Sequence, residues 1–161
     1  MRLVRGIAVI VTLWGAGLAP DAAWARVNCV EFARQASSVA LAGDAWTWWG
    51  KAQSAYDTGA APEEGAVLVF KRTHRMRSGH VAVVRDVLDS RTITIDHANW
   101  GSGRATKGQV TRNVLVEDAS PNNDWTTVRV WHQPSQSYGS PYATYGFIYE
   151  SQPPLRRLAS R

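Results

Sequence analysis

Residues 25–37, ARVNCVEFARQAS, contain the only cysteine of the 161-residue chain and the start of its first predicted element. Asn28 is a favourable N-cap residue, and Glu31, three positions later, can reach back to the N–H of the cap, as in a capping box. Apolar residues then recur with the 3.6-residue period of one helical face, namely at Cys29, Phe32, Ala33, Ala36 and Ala40. Gly43 provides a stop signal. We therefore predict a helix that begins at Cys29 and ends before Gly43.

The cysteine lies in the first turn of this predicted helix. Free N–H groups and the helix dipole stabilise an anion there, which favours the thiolate form of Cys29. The thiolate is the nucleophilic form of cysteine. A buried cysteine that only fills space is the alternative, but packing gains nothing from a helix start. The position therefore favours a nucleophile.

Residues 1–25 have the layout of a secretory signal peptide, with two arginines, an apolar run over residues 6–13 and small residues at positions 23 and 25. The apolar run is shorter than the roughly 20 residues that cross a bilayer, and an uncleaved anchor is the alternative. We expect cleavage after Ala25, a periplasmic or secreted location, and no stable membrane insertion afterwards. A single cysteine in an exported protein is either an intermolecular partner or a reactive thiol.

The mature chain has room for one domain with one core. We assign residues 1–25 to the signal peptide, 26–150 to one monomeric domain and 151–161 to a disordered tail. The net charge of the full chain is +5, which favours contact with anionic polymers of the cell envelope. The sequence has no basic helix or stripe and export removes access to nucleic acid, so we exclude nucleic acid as a partner.

Short strands separated by turn residues make up the remainder of the chain. They are predicted at residues 66–70, 80–87, 91–100, 109–116, 127–132 and 144–149. Residues 88–90 form a hairpin between the second and third strands. One helix followed by strands at hairpin spacing indicates an α+β domain with an antiparallel sheet of five to six strands.

A cysteine nucleophile needs a base within hydrogen-bond distance, and the chain has four histidines. His80 opens a strand and shares one face of it with Ala82 and Val84, so we expect the cysteine helix to cover that face. His74 lies in a basic loop, and His132 ends a late strand without polar neighbours in the sequence. His80 is the best candidate for the base.

The group that orients this base is expected on the neighbouring strand, residues 91–100. His97 and Asn99 alternate in phase with two isoleucines and are predicted to face inward, whereas Asp96 faces the other side. His97 is the better third member if the strand is regular. A bulge near its end would favour Asp96 instead.

Five blocks of the sequence, taken in order, resemble those of the CHAP domain, the cysteine, histidine-dependent amidohydrolase/peptidase. They are CVEFA (29–33), PEEGAVLVF (62–70), SGHVAVV (78–84), IDHANW (95–100) and YGFIY (145–149). The resemblance implies a papain-like fold in which a helix with the cysteine packs on an antiparallel sheet with the histidine. It implies amide hydrolysis in bacterial peptidoglycan, as an N-acetylmuramoyl-L-alanine amidase or as a stem-peptide or cross-bridge endopeptidase.

Carried over by motif, Cys29 matches the nucleophile and His80 the base. Many relatives have Glu or Asp as the third member, two residues before an Asn, and here His97 and Asn99 occupy those two places. A histidine cannot hold an imidazolium electrostatically as a carboxylate does, so His97 would mainly fix tautomer and ring orientation. The related NlpC-type peptidases use histidine there, although this chain lacks their Asp-Cys-Ser-Gly block.

The expected mechanism needs no metal and no cofactor, because the chain has neither a His-Glu-x-x-His motif nor a close histidine pair in sequence. The backbone N–H of Cys29 is expected to hold the oxyanion. The substrate surface is predicted among exposed aromatic and basic residues: Trp46, Trp48, Trp49, Trp100, Arg72, Arg75 and Arg77. Of these we favour Trp100, Trp48 and Arg77 as substrate-binding residues. The alternative is that most tryptophans belong to the core and the arginines to a solvated loop.

Two other classes of function stay open at this point. One is a non-catalytic module that binds the cell wall. The other is a thiol acyltransferase or lipid amidase with the same architecture. Thiol labelling and an assay for the released product separate the three.

Overall fold

The computed structural model describes residues 26–101, 103 and 107–150. The predicted signal peptide (1–25) and the predicted tail (151–161) lie outside the described residues. Within these ranges, no helix combines the length and the apolar character that crossing a membrane requires.

Two short α-helices and eight β-strands form the described part of the chain. In chain order they are α1 (Cys29–Ala36), α2 (Trp48–Ala52), β1 (Thr58–Gly59), β2 (Val67–Phe70), β3 (His80–Val87), β4 (Thr92–Ala98), β5 (Val110–Asp118), β6 (Thr127–His132), β7 (Ser137–Tyr138) and β8 (Tyr142–Ile148). Short 3₁₀ turns precede α2 and follow β6.

All strand pairs among the described residues are antiparallel, and the strands follow the order β1-β8-β2-β3-β4-β5-β6-β7. Because β8 pairs with β6 as well as with β2, the strands β2, β3, β4, β5, β6 and β8 close into a barrel. The predicted antiparallel sheet and the helix that carries the cysteine are confirmed. The α+β description is only partly right, because the described chain is mostly β, with more strands than expected.

Helix α1 begins where the sequence predicts but ends earlier. The Asn28 side chain accepts a hydrogen bond from the N–H of Glu31 at 2.8 Å, and the Glu31 carboxylate accepts one from the Asn28 side-chain amide at 3.4 Å. At the other end, the Ser37 hydroxyl donates to the carbonyl of Ala33 at 2.8 Å and accepts from the N–H of Val39 at 3.2 Å. Such a local side-chain bond competes with helical continuation, so the predicted extension toward Gly43 is wrong.

The barrel wall separates two apolar cores. Outside it, Val81 and Val83 of β3 pack with α1 and α2, and inside it Ala82 and Val84 pack with residues of the other strands. His80 has the same strand parity as Ala82 and therefore faces the barrel interior. The expectation that α1 covers this face is wrong: the helix covers the opposite face of β3, because the sheet closes on itself and buries its inner face without help from a helix.

Candidate active site

The thiol of Cys29 lies at the start of α1, partly buried against the outer core. Three backbone N–H groups are placed to hydrogen-bond its sulfur, those of Cys29, Val30 and Val81. Two of them belong to the first helical turn, as the sequence predicts. The third belongs to β3, one residue after His80. This contact brings the predicted nucleophile to the first residues of the strand that carries the predicted base, and no sequence signal points to Val81.

Burial is the main influence on the charge state of this thiol. It raises the pKa of Cys29 above the usual value, and the charge of Asp44 adds to the rise. The three N–H groups act in the opposite direction but do not outweigh burial. The prediction that Cys29 rests as a thiolate is therefore wrong, because the desolvation cost of the anion exceeds what the helix start supplies.

His80, the predicted base, is buried inside the barrel with a second histidine beside it. Its Nε2 atom lies 3.2 Å from Nδ1 of His97, and the exposed fractions of the two residues are 3% and 2%. One nitrogen of this pair must donate and the other accept. When His80 donates from Nε2, its Nδ1 keeps a free lone pair that can take a proton. His97 then acts as the acceptor that selects the tautomer.

Both histidines are neutral in this environment. Burial first, and then the positive charge that His97 carries when it is protonated, lower the pKa of His80 well below its usual value. Burial also lowers the pKa of His97 to about 4, although the charge of Asp96 opposes the shift. An imidazolium is therefore disfavoured in the free protein. The thiol and both imidazoles are therefore neutral in the free protein.

Aromatic rings surround the histidine pair. Trp100 is stacked on His97 with ring centroids 5.3 Å apart and meets the edge of His80 at 4.7 Å. Phe70 lies 5.5 Å from His80, directly across the β2–β3 register, and Tyr142 lies 5.0 Å from Trp100. These rings keep water from the bond between the histidines. The sequence missed Phe70 and Tyr142, although a correct β2–β3 register would have identified Phe70.

Asp96 lies on the other side of β4. Its carboxylate pairs with Arg112 at 3.0 Å and Arg85 at 3.5 Å, and accepts the N–H of Asn113 at 2.9 Å. The strand alternation thus placed His97 and Asp96 correctly. The β4–β5 register does shift just before His97, but the shift leaves both side chains on their predicted faces.

Asn99 follows the end of β4 in the left-handed region, with φ of 61°. Its side-chain oxygen accepts a hydrogen bond from the N–H of Gly108 at 2.9 Å, and the carbonyl of Gly108 accepts one from Val27 at 3.2 Å. The hydrogen-bond partner of His80 is His97, whereas Asn99 ties the end of β4 to the segment that precedes Cys29.

The structure separates the predicted substrate-binding residues. Trp48 is fully buried in the outer core, so it has no surface for a substrate and that prediction is wrong. Arg77 is exposed and lines a cavity of about 420 Å³ with Arg72, Thr73 and His74. Trp100 packs over the histidine pair, and its contact with a substrate stays a prediction.

The fold and the candidate site define a class of protein. It is a small antiparallel barrel domain with a cysteine at a helix start and a buried histidine pair. The sequence profile of the CHAP domain matches residues 19–99, a span that includes Cys29, His80, His97 and Asn99. The chain therefore belongs to the CHAP domain family, whose members are generally hydrolases associated with peptidoglycan. No curated protein matches the chain at a significant level.

Proposed function

We propose that this protein is an exported cysteine hydrolase that cleaves amide bonds in bacterial peptidoglycan through an acyl-enzyme on Cys29. The bond is the one between glycan and stem peptide or one within the peptides. Family membership supports the reaction class and the polymer. The contact between His80 Nε2 and His97 Nδ1 at 3.2 Å carries the assignment of roles.

In the first half-reaction His80 acts as the base. Its Nδ1 takes the proton of the Cys29 thiol while the sulfur attacks the amide carbonyl carbon. The carbonyl oxygen becomes an oxyanion, which accepts a hydrogen bond from the N–H of Cys29 at the helix start. The C–N bond then breaks, and the His80 imidazolium gives its proton to the departing amine.

In the second half-reaction His80 activates a water molecule. The water attacks the thioester carbon, the C–S bond breaks, and the sulfur recovers a proton from the imidazolium. Throughout both steps His97 accepts a hydrogen bond from the Nε2–H group of His80 and holds the His80 ring in one orientation. Because the free protein favours neutral partners, proton transfer accompanies attack rather than preceding it.

Purified sacculi provide the test. Wild-type protein should release soluble fragments, and mass spectrometry of these fragments should identify the new amine and the bond cut. Cys29→Ala and His80→Ala should each abolish release and retain the folded circular dichroism spectrum. His132→Ala is the matched control, because His132 is exposed and bonds Ser135 on the surface.

The outcomes separate the classes of function. Release by Cys29→Ala at the wild-type rate rejects the thiol mechanism. Binding to sacculi without release by the wild-type protein indicates a cell-wall-binding module, and release of fatty acid from lipid amides indicates a lipid amidase.

A further inference from the structure

We propose that a cation–aromatic strip, formed by Trp46, Trp49, Lys71, Arg72 and Tyr145, binds the glycan strand and nearby carboxylates of peptidoglycan beside His80. This inference rests on the proposed function, since it places the same polymer along a second surface of the site. The strip joins the 3₁₀ turn before α2, helix α2, the two residues that follow β2, and strand β8.

Ring and cation contacts order the strip. Trp49 and Tyr145 stack with centroids 6.0 Å apart and planes 14° apart, and the Lys71 ammonium lies 5.2 Å from the centre of the Tyr145 ring. The Arg72 guanidinium lies 4.4 Å from the centre of the Trp46 ring. Tyr145 is 36% exposed, one of few large apolar residues so exposed in the described chain. Rings fixed in this way present a preorganised surface.

The strip is connected directly to the base. The N–H of Trp46 donates to the carbonyl of Ser78 at 3.0 Å. Gly79, with φ of 69°, lets the two backbones approach, since a Cβ there would lie 2.8 Å from the nitrogen of Trp46. His80 is the next residue. A polymer bound to the strip therefore lies against the segment that leads directly into His80.

The charges of the strip are available to a ligand. Residues 71–79 contain Lys71, Arg72, Arg75 and Arg77 and no acidic residue. In the described ranges, none of these four is paired with a carboxylate, whereas the ion-paired arginines all lie elsewhere: Arg85, Arg91, Arg112 and Arg129. The cavity lined by Arg72 and Arg77 opens between these cations. Arginine in such a position suits a carboxylate.

Aromatic rings and cations side by side favour peptidoglycan as the ligand of the strip. Aromatic faces pack against the apolar C–H faces of sugar rings, and the neighbouring cations meet acidic groups on the same chain. Peptidoglycan offers both, sugar rings in the glycan and carboxylates in the stem peptides. A teichoic acid offers phosphates with few ring faces, so the aromatic half of the strip favours peptidoglycan.

Sedimentation with insoluble sacculi tests this surface apart from catalysis. The parent protein is Cys29→Ala, and the sacculi are treated with hydrofluoric acid to remove phosphodiester-linked polymers. Tyr145→Ala and the double variant Lys71→Ala/Arg72→Ala should each weaken binding about fivefold to tenfold. The double variant should also reduce the dependence of binding on salt.

Matched controls lie on β6 and β7, outside the strip. Tyr138→Ala removes one ring of the half-buried Trp131–Tyr138 pair, and Arg129→Ala removes one exposed cation; both should bind like the parent. Equal binding by the strip variants and the parent overturns the proposal, as does loss of parent binding after the acid treatment. If the wild-type protein releases nothing but the strip variants still lose binding, the proposed reaction fails and the strip stands.

Discussion

The buried histidine pair predicts that the protein loses stability in mild acid. A histidine whose pKa is 6.5 when unfolded and about 4 when folded binds fewer protons in the folded state between these values. The contribution of such a histidine to the free energy of unfolding is therefore present above pH 6.5 and is lost as the pH drops toward 4. For His97 alone the loss is about 2 kcal/mol at pH 5 and about 3 kcal/mol below pH 4.

His97→Asn isolates this effect. The Oδ1 atom of an asparagine occupies nearly the position of Nδ1 in histidine, so it can accept the same hydrogen bond from His80, but it does not titrate. His80 and the carboxylates remain in both proteins, so their contributions largely cancel in the difference. The free energy of unfolding of wild type minus that of His97→Asn should fall by about 2 kcal/mol between pH 7 and pH 5.

Urea unfolding, followed by fluorescence of the buried Trp48 and Trp125, measures both curves. A difference that does not change with pH would show that His97 titrates alike in the folded and unfolded states, and would refute the reasoning from burial. A difference that grows as the pH falls would mean that the folded protein holds a proton on His97.

Three further predictions concern single positions. The pH midpoint for alkylation of Cys29 by iodoacetamide should lie above that of free cysteine, because burial raises its pKa; a midpoint near neutrality contradicts this. Asn99→Ala should reduce kcat in a sacculus assay and lower the free energy of unfolding in urea by about 1 kcal/mol. Asn99→Asp keeps the acceptor for the N–H of Gly108 and should therefore retain most of the kcat and most of the stability. Asp96→Asn should cost about 1 to 3 kcal/mol in urea unfolding, because it removes the charge that two arginines pair with; a large loss of kcat in the folded variant would instead place Asp96 in the reaction.

Local patterns predicted much of the site. The N-cap at Asn28 fixed the first turn of α1 and hence the position of Cys29, and the alternation along β4 put His97 and Asp96 on opposite faces. Both signals depend on residues within a few positions of each other, where backbone geometry decides side-chain direction.

What the sequence could not supply depends on long-range pairing. Closure of the barrel requires β8 to pair with both β2 and β6, and the alternation within β8 is the same in an open sheet. The wrong prediction that the cysteine helix covers the His80 face of β3 follows from this, because an open sheet would need a helix on that face. Trp48 and Trp49 are neighbours in sequence, yet one is buried and one stacks on Tyr145, and only the packing of α2 decides which.

The central claim is that Cys29 carries the acyl group during turnover. Acid quenching of the wild-type protein during digestion of sacculi, followed by digestion and mass spectrometry, should find the peptide with Cys29 heavier by the mass of the acyl fragment, as a thioester. Undiminished release of fragments with no adduct on that peptide, and with Cys29→Ser equally active, would contradict the account.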